Sequence, residues 1–210
     1  MSHLEINYDP QPVRLFQSDF LEFFTHISPI AVTVIWLPVT LYFLVSAIIQ
    51  ATGAWLHIPI GFALGLFVWT LSEYLLHRFV FHLKARAPWQ ERIVFLFHGI
   101  HHYQPNCKTR LVMPPVVSVP LSFVFYGAVY LVAGLALGAP QWIAPIFSGL
   151  IAGYLAYDLT HYATHHLPLK GRYLKYLKKY HMLHHFKTPD ARYGVSSPLW
   201  DFVFHTAPAD

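Results

Sequence analysis

Histidine is the residue type that stands out, with 15 copies among 210 residues. Eleven of them fall in four short motifs, which read HRFVFH (77–82), HGIHH (98–102), HYATHH (161–166) and HMLHH (181–185). Imidazole is a good ligand for zinc, iron, copper and nickel, so this clustering predicts metal binding. Because a single site usually needs about four ligands, ten or more patterned histidines predict two ions.

The spacing within the motifs predicts how the imidazoles are presented. HxxxH and HxxHH place histidines on one face of a helix, one turn apart, so two or three rings could reach a shared ion. HxxxxH is different, because five residues rotate by about 500° and the two rings would diverge by about 140°. We therefore expect His77 and His82 to flank a helix end.

Two carboxylates lie one helical turn before a histidine motif. Glu73 precedes His77 by four residues, and Asp158 precedes His161 by three. A carboxylate there could accept the second ring N–H of a ligand histidine, or it could be an ordinary polar group at a helix end. Acidic residues are otherwise too scarce for a carboxylate-rich site. Cys107 is the only cysteine, which excludes an internal disulfide and a CxxC site.

The composition predicts a membrane protein. The chain is 55% hydrophobic and only 11% charged, whereas soluble domains have about 25% charged residues. Four apolar runs, at 27–50, 58–76, 111–137 and 142–159, are long enough to cross a bilayer, although prolines near 114–120 leave open a buried or re-entrant helix there. We expect residues 1–26 to form a partly irregular leader with an interfacial segment near 20–24, and residues 27–210 to form one domain.

The basic residues orient these spans. All 14 Lys and Arg fall on one side of a four-span arrangement, which is the cytosolic side by the positive-inside rule. The formal net charge of +4 therefore indicates a membrane surface, and no nucleic-acid partner is expected. The predicted architecture is all-α, with four transmembrane helices under a cytosolic helical cap that holds a histidine-rich dimetal centre.

The motifs together resemble the fatty acid hydroxylase superfamily, and most closely the fatty acid 2-hydroxylases. The similar segments are HRFVFH, LFHGIHHYQP, RLVMPP, YDLTHYATHH, KKYHMLHHF and YGVSSPLWDFVFHT, in this order between Leu71 and Thr206. The resemblance implies an integral membrane enzyme that hydroxylates the carbon next to the carbonyl of a long acyl chain, free or in a ceramide or sphingolipid.

The motif spacing and the resemblance together suggest roles for individual residues. His166, Glu73 and Asp158 would support the ligands, and Asn106 and Arg110 are weaker candidates for the substrate head group, the alternative being solvated interface residues. His3, His26 and His57 are expected to have no role, and His205 is intermediate. The implied metal ligands are His77, His82, His98, His101, His102, His161, His165, His181, His184 and His185.

The implied cofactors are two metal ions, molecular oxygen and an external source of electrons. Iron is expected in the active enzyme, and zinc could occupy the protein as purified. Some members carry a fused cytochrome b5 domain, whereas only some 25 residues precede the first span here. We therefore expect a separate ferredoxin or cytochrome b5-like donor on the basic face at Lys175, Lys178 and Lys179, and a bacterial inner membrane rather than the endoplasmic reticulum.

Two other classes of function are compatible with parts of the pattern. The same architecture could serve a carotenoid or sterol hydroxylase or a desaturase. Histidines at membrane level could also belong to a metal transporter. Transport is disfavoured because the histidine motifs cluster at one face of the membrane instead of following its depth.

The distribution of basic residues predicts the topology directly. A cysteine introduced at Gln141, between the third and fourth spans, should react with a membrane-impermeant thiol reagent added from outside. A cysteine at Lys175 should react only after the membrane is permeabilised. The reverse labelling pattern, measured in a Cys107→Ser background, would reject the orientation.

Overall fold

In the structure, a computed structural model, residues 5–51, 53 and 55–208 are described. Every regular element in these ranges is a helix, which confirms the predicted all-α class. Four helices are long and apolar enough to cross a membrane: Pro29–Ile49, His57–Phe81, Pro115–Ala136 and Pro140–His166. They match the four predicted runs, but the second and fourth continue further than predicted, and these extra turns carry the first and third histidine motifs.

The remaining helices are short and form a cap at the end of the bundle where these motifs lie. Three α-helices, two of them in the spans, continue as π-helices. In chain order the elements are α1 (Asp19–Phe23), α2 (Pro29–Ile49), α3 (His57–Leu75) with a π-helix (Leu76–Phe81), α4 (Pro88–Val94) with a π-helix (Phe95–Gly99), α5 (Ile100–Tyr103), α6 (Pro115–Val129) with a π-helix (Tyr130–Ala136), a 3₁₀ turn (Pro140–Trp142), α7 (Ile143–His166), α8 (Arg172–Phe186) and α9 (Leu199–Val203).

Local sequence explains where the first and third spans begin. The hydroxyl of Ser28 accepts a hydrogen bond from the Ala31 N–H at 3.1 Å, and Pro29 occupies the first turn of α2. The third span begins at Pro115 rather than at the predicted residue 111. The reason is that Pro115 disfavours the helical conformation at Pro114, which has extended backbone angles.

Helices α3 and α7 pack so closely that glycine is required between them. A Cβ atom on Gly65 would lie 2.1 Å from the Ile146 carbonyl oxygen, and one on Gly149 would lie 2.1 Å from the Phe62 carbonyl oxygen. In lipid the hydrophobic effect does not drive helices together, so small residues that allow backbone contact are the usual means of association. The two helices that carry the first and third histidine motifs are thus held at a fixed separation.

Helix α2 covers the other side of α7. The Trp36 and Tyr154 rings meet edge to face with centroids 5.6 Å apart, and the Ser148 hydroxyl donates to the Thr40 carbonyl at 2.9 Å. Helix α6 is the most exposed span, with Phe123 71% and Val124 67% accessible. Helices α2, α3 and α7 therefore form the rigid base, while α6 presents apolar side chains to lipid.

The leader packs against the cap. Residues 5–18 have no regular secondary structure, and α1 lies where the interfacial segment was predicted. The side chain of Gln104 is buried, accepts from the Val13 N–H at 3.0 Å and donates to the Gln11 carbonyl at 3.0 Å. The guanidinium of Arg110 donates to the Val13 carbonyl and to the Glu22 carboxylate. The leader thus forms one wall of the cap.

The close packing of α3 and α7 predicts a difference between two glycines. Gly65→Ala should destabilise the protein by about 1–3 kcal/mol, because the added methyl group overlaps a backbone carbonyl. Gly127→Ala is the matched control, since nothing lies within 4 Å of the added Cβ. It should leave the melting temperature in detergent unchanged or slightly higher. Equal melting temperatures for both variants would contradict the proposed role of the glycines.

Candidate metal centre

The HRFVFH motif lies on a π-helical turn. The N–H of His82 donates to the carbonyl of His77 at 3.0 Å, which is the i to i+5 bond of a π-helix. The extra residue per turn brings the two rings onto one side, with centroids 5.0 Å apart. The divergence of about 140° holds for an ideal α-helix and does not apply to this π-turn, and His82 lies at the end of the helix as its C-cap residue.

The two HxxHH motifs each contribute to two different groups of histidines. His98 and His102 belong to one group, whereas His101 belongs to the other. On α8 the i and i+4 residues His181 and His185 stay together, whereas His184 joins the other group. Neighbouring helix positions differ by about 100°, so the i+3 and i+4 rings point to different places. Two of the three rings in each motif therefore share one group, and the third ring joins the other group.

The histidines form two compact groups, which we call site A and site B. In each group one ring nitrogen per residue lies within 4.8 Å of the others, so each group could hold a metal ion. All ten histidines predicted as ligands are brought together in this way. Site A consists of His77, His82, His98, His102 and His184, and site B of His101, His161, His165, His181 and His185.

The ring nitrogens within each site are spaced as ligands of one ion would be. In site A the Nε2 atom of His98 lies 3.0 Å from that of His77 and 3.0 Å from that of His102. In site B the Nε2 atoms of His101 and His161 are 3.0 Å apart, and those of His181 and His185 are also 3.0 Å apart. Two nitrogens each about 2.1 Å from one ion are separated by about 3.0–3.4 Å at right-angled to tetrahedral geometry.

The protonation pattern of His184 supports the same conclusion. Its Nδ1 lies 2.6 Å from the Ala191 carbonyl oxygen, and since a carbonyl only accepts, Nδ1 carries the proton. Its Nε2 therefore presents a lone pair, which faces the Nε2 atoms of His82 at 3.1 Å and His102 at 3.2 Å. Converging lone pairs repel each other unless a cation lies between them, so the donor set fits a metal ion.

Burial keeps the cap histidines uncharged. It lowers the pKa of His184 to about 4. Burial, together with the neighbouring imidazoles, also holds the pKa of His98, His101 and His181 well below the usual range. These rings are thus neutral at physiological pH, which is the form that binds a metal ion.

Contrary to expectation, the two buried carboxylates do not contact the histidines. Glu73 accepts hydrogen bonds from the N–H groups of Val195 at 2.6 Å and Ser196 at 2.8 Å. Asp158 accepts from the Met113 N–H at 3.2 Å. In the described part of the chain neither carboxylate bonds to an imidazole. Each carboxylate faces a non-helical segment whose backbone N–H groups need acceptors. It therefore binds these N–H groups instead of the histidine one turn away.

Three other candidate residues also lie outside both sites. His166 is half-buried against the Tyr162 ring, with centroids 4.8 Å apart, and belongs to neither group of histidines. Asn106 donates to the Tyr8 carbonyl at 3.0 Å, and Arg110 is bound to the leader. Asn106 and Arg110 thus hold the leader in place. Arg110 also lines the apolar cavity described below, whereas Asn106 does not, so contact between the Arg110 guanidinium and a substrate head group stays a prediction.

The histidines outside the motifs are placed away from the sites. His26 lies next to Thr109 and Glu22 and ties the leader to the cap. His57 begins α3 and contacts the Trp142 ring, and His205 is exposed. His3 lies outside the described residues.

An apolar cavity of about 290 Å³ leads to both sites. Its walls come from the leader, from α5 and from the segment around the start of α6, and Leu21, Phe97 and Val116 in these walls are also exposed at the outer surface. The cavity therefore connects the apolar outer surface with the metal centre. At its inner end it is lined by Tyr157, Asp158, His98, His101 and His161.

Several residues of the site were not predicted. The carbonyl groups of Ala191 and Tyr193 accept the Nδ1–H of His184 and His77, and backbone acceptors have no side-chain signature. Asp201 is completely buried and binds the same loop. Tyr157 at the cavity could have been found, because it precedes His161 by one helical turn.

Fold and site together define a multi-pass membrane protein in which two buried histidine sites, able to hold metal ions, lie beside an apolar cavity. The model of the fatty acid hydroxylase family matches residues 62–206. The chain is 39% identical to a dihydroceramide fatty acyl 2-hydroxylase of Arabidopsis thaliana, over 99% of this chain and 89% of that one. It is 38% identical to a fatty acid 2-hydroxylase of Rattus norvegicus, over 98% of this chain and 61% of that one.

A solved structure gives the same result. It is described as full-length Scs7p with only the hydroxylase domain visible, and it matches with a TM-score of 0.82 and 40% identity over 91% of this chain and 70% of that one. The chain belongs to the fatty acid hydroxylase family and is an oxidoreductase of the membrane. The two named relatives are eukaryotic, so they do not support the expected bacterial membrane.

The division into two sites predicts the metal content of variants. Purified protein should contain about two ions per chain, since each site offers more than the roughly four ligands that one ion needs. His184→Ala and His181→Ala should each weaken metal binding at one site only, because each change removes one of five histidines from a different site. After brief treatment with EDTA each variant should therefore retain about one ion. Elemental analysis at matched expression checks this. Retention of two ions in both variants would contradict the division.

Proposed function

We propose that the protein hydroxylates carbon 2 of a long fatty acyl group, either as a free acid or within a ceramide or another sphingolipid. The observation that carries this proposal is the apolar cavity, whose inner end is lined by His98, His101 and His161. The relatives named above are a dihydroceramide fatty acyl 2-hydroxylase and a fatty acid 2-hydroxylase, which supports carbon 2 as the position of attack.

In this proposal the ten histidines of sites A and B are the metal ligands. When bound, two iron ions would supply the redox chemistry that activates molecular oxygen. Zinc suits the same imidazole donors but does not change oxidation state, so it would fill the sites of the purified protein without supporting turnover.

The chain's own contribution is to position one C–H bond. The acyl chain lies among apolar side chains such as Ile100, Val112 and Val117, which exclude water from the inner end of the cavity. Phe81 stacks on the His98 ring with centroids 5.3 Å apart and closes one side. Because the walls are rigid helices and a buried segment, only a short stretch of the chain can approach the histidines, and this sets the position of hydroxylation.

We further propose that a separate electron donor docks on the outer face of α8. That helix buries Leu177, His181 and His184 on its inner face, while Lys175 and Lys179 are exposed on the opposite face. Lys178 donates to the Leu167 carbonyl at 3.0 Å. A ferredoxin or cytochrome b5-like protein with an acidic surface would be attracted to this basic face.

The domain extent, the membrane orientation and the alternative functions complete the proposal. We propose that residues 27–210 form the hydroxylase domain with the histidine end of the spans in the cytosol, as the basic residues predict. A metal transporter is disfavoured because both sites lie at one end of the spans. The names of the relatives do not favour the carotenoid or sterol alternatives.

The test is the lipid product. Cells that express the protein together with a reductase and a ferredoxin or cytochrome b5-like donor should accumulate 2-hydroxy fatty acids. Under ¹⁸O₂ the new hydroxyl should carry the label. His101→Ala should reduce the product to background, because it removes a ligand of site B at the inner end of the cavity.

The control for this experiment is His57→Ala, which should leave the product level unchanged, since His57 is remote from both sites. Mass spectrometry of intact lipids separates hydroxylated free acids from hydroxylated ceramides. A product hydroxylated at another carbon, or full activity of His101→Ala, would reject the proposed function.

A further inference from the structure

The loop after α8 contacts only one of the two sites through its carbonyl groups. The Nδ1–H of His184 donates to the Ala191 carbonyl at 2.6 Å, and the Nδ1–H of His77 donates to the Tyr193 carbonyl. Both histidines belong to site A. The Tyr193 ring also packs against His77 and His82, with centroids 5.6 Å from each. Site A is therefore supported on one side by residues 191–193.

In site B a bond of this kind is found, from the His165 ring to the Pro105 carbonyl. The Nδ1 atoms of His161 and His181 are buried, and within the described part of the chain they have no hydrogen-bond partner. A hydrogen bond from Nδ1–H to a carbonyl fixes the orientation of the ring and increases the basicity of Nε2. His77 and His184 of site A are thus better oriented and more basic than His161 and His181 of site B.

Two buried carboxylates hold the loop that supports site A. Asp201 accepts from the N–H groups of Tyr193 at 2.9 Å and Gly194 at 2.7 Å, and from the Thr206 hydroxyl at 2.7 Å. Glu73 accepts from the next two N–H groups of the loop and from the Ser196 hydroxyl. Asp201 is 0% and Glu73 3% exposed.

The loop has little freedom to adopt another shape. A Cβ atom on Gly194 would lie 2.1 Å from the Ser197 carbonyl oxygen, so only glycine fits. Four consecutive N–H groups, from Tyr193 to Ser196, end on the two carboxylates. The positions of the two supporting carbonyls therefore depend on Asp201 and Glu73.

We propose that Asp201 and Glu73 are positioning residues for site A alone, and that the two metal ions are consequently inequivalent, with the ion of site A held more tightly. This inference rests on the assignment of the ten histidines as ligands in the proposed function. Loss of such supporting contacts typically lowers metal affinity by about 10–100-fold. Asp201→Asn should therefore lower the affinity of site A for its ion by this factor and leave the affinity of site B unchanged.

The experiment is release of metal from the purified protein by a graded series of EDTA concentrations, followed by elemental analysis. Wild type should lose its two ions in two steps, the ion of site B first. Asp201→Asn should shift the later step to EDTA concentrations about 10–100-fold lower. Glu91→Gln, which changes an exposed carboxylate, is the matched control and should release metal as wild type does.

Double variants identify the ion that is affected. His77→Ala removes a ligand of site A, so the remaining ion is in site B. Adding Asp201→Asn should then not change the EDTA concentration that releases this ion. His181→Ala removes a ligand of site B, so adding Asp201→Asn should release the remaining ion at about 10–100-fold lower EDTA. Only an interaction confined to site A produces this difference.

Two milder changes cover the case that Asp201→Asn does not fold. Thr206→Val removes one of the three bonds to Asp201, and Glu73→Gln weakens the neighbouring contacts. Both should shift the same step of release. Equal weakening of both ions, or unchanged release in these variants with native helix content, would overturn the proposal. If the release pattern appears but wild type makes no 2-hydroxy product, the proposed function fails and this inference stands.

Discussion

Ten uncharged imidazoles have to be held with their lone pairs converging in a buried space, and the rest of the structure depends on this constraint. Buried polar groups without partners are costly, and lone pairs about 3 Å apart repel each other. A metal ion in each site would remove this repulsion, provided that the helices fix the rings around it. The glycine contacts between α3 and α7 serve this purpose, because α7 carries His161 and His165 near its end and α3 continues into the π-helix that carries His77.

The membrane fold and the set of candidate ligands could both be predicted from the sequence, but from different features. The spans follow from composition, since apolar runs without charge have few alternatives to a bilayer. The ligand set follows from residue type and spacing. The partition between two ions could not be predicted, because it depends on a rotation of about 100° between neighbours such as His184 and His185 and on the π-turn after α3. The HRFVFH motif itself contains no residue that requires a π-turn.

Long-range contacts could not be predicted from the sequence either. The acceptor for His77 is a backbone carbonyl 116 residues away, and Arg110 finds its carboxylate partner in the leader, 88 residues away. The rule that placed Glu73 and Asp158 beside histidines considered only the periodicity of their own helices. It omitted the irregular segments packed against these helices, whose N–H groups need acceptors where water is scarce.

These two carboxylates have related roles on the two sides of the metal centre. Asp158 accepts the N–H of Met113 and so holds the non-helical segment that lines the cavity before α6. Glu73 holds the segment that supports site A. At membrane depth an irregular backbone is tolerated only when the protein satisfies its polar groups. One acidic residue in each of two spans therefore satisfies the backbone of a non-helical segment, beside the apolar cavity in one case and beside site A in the other.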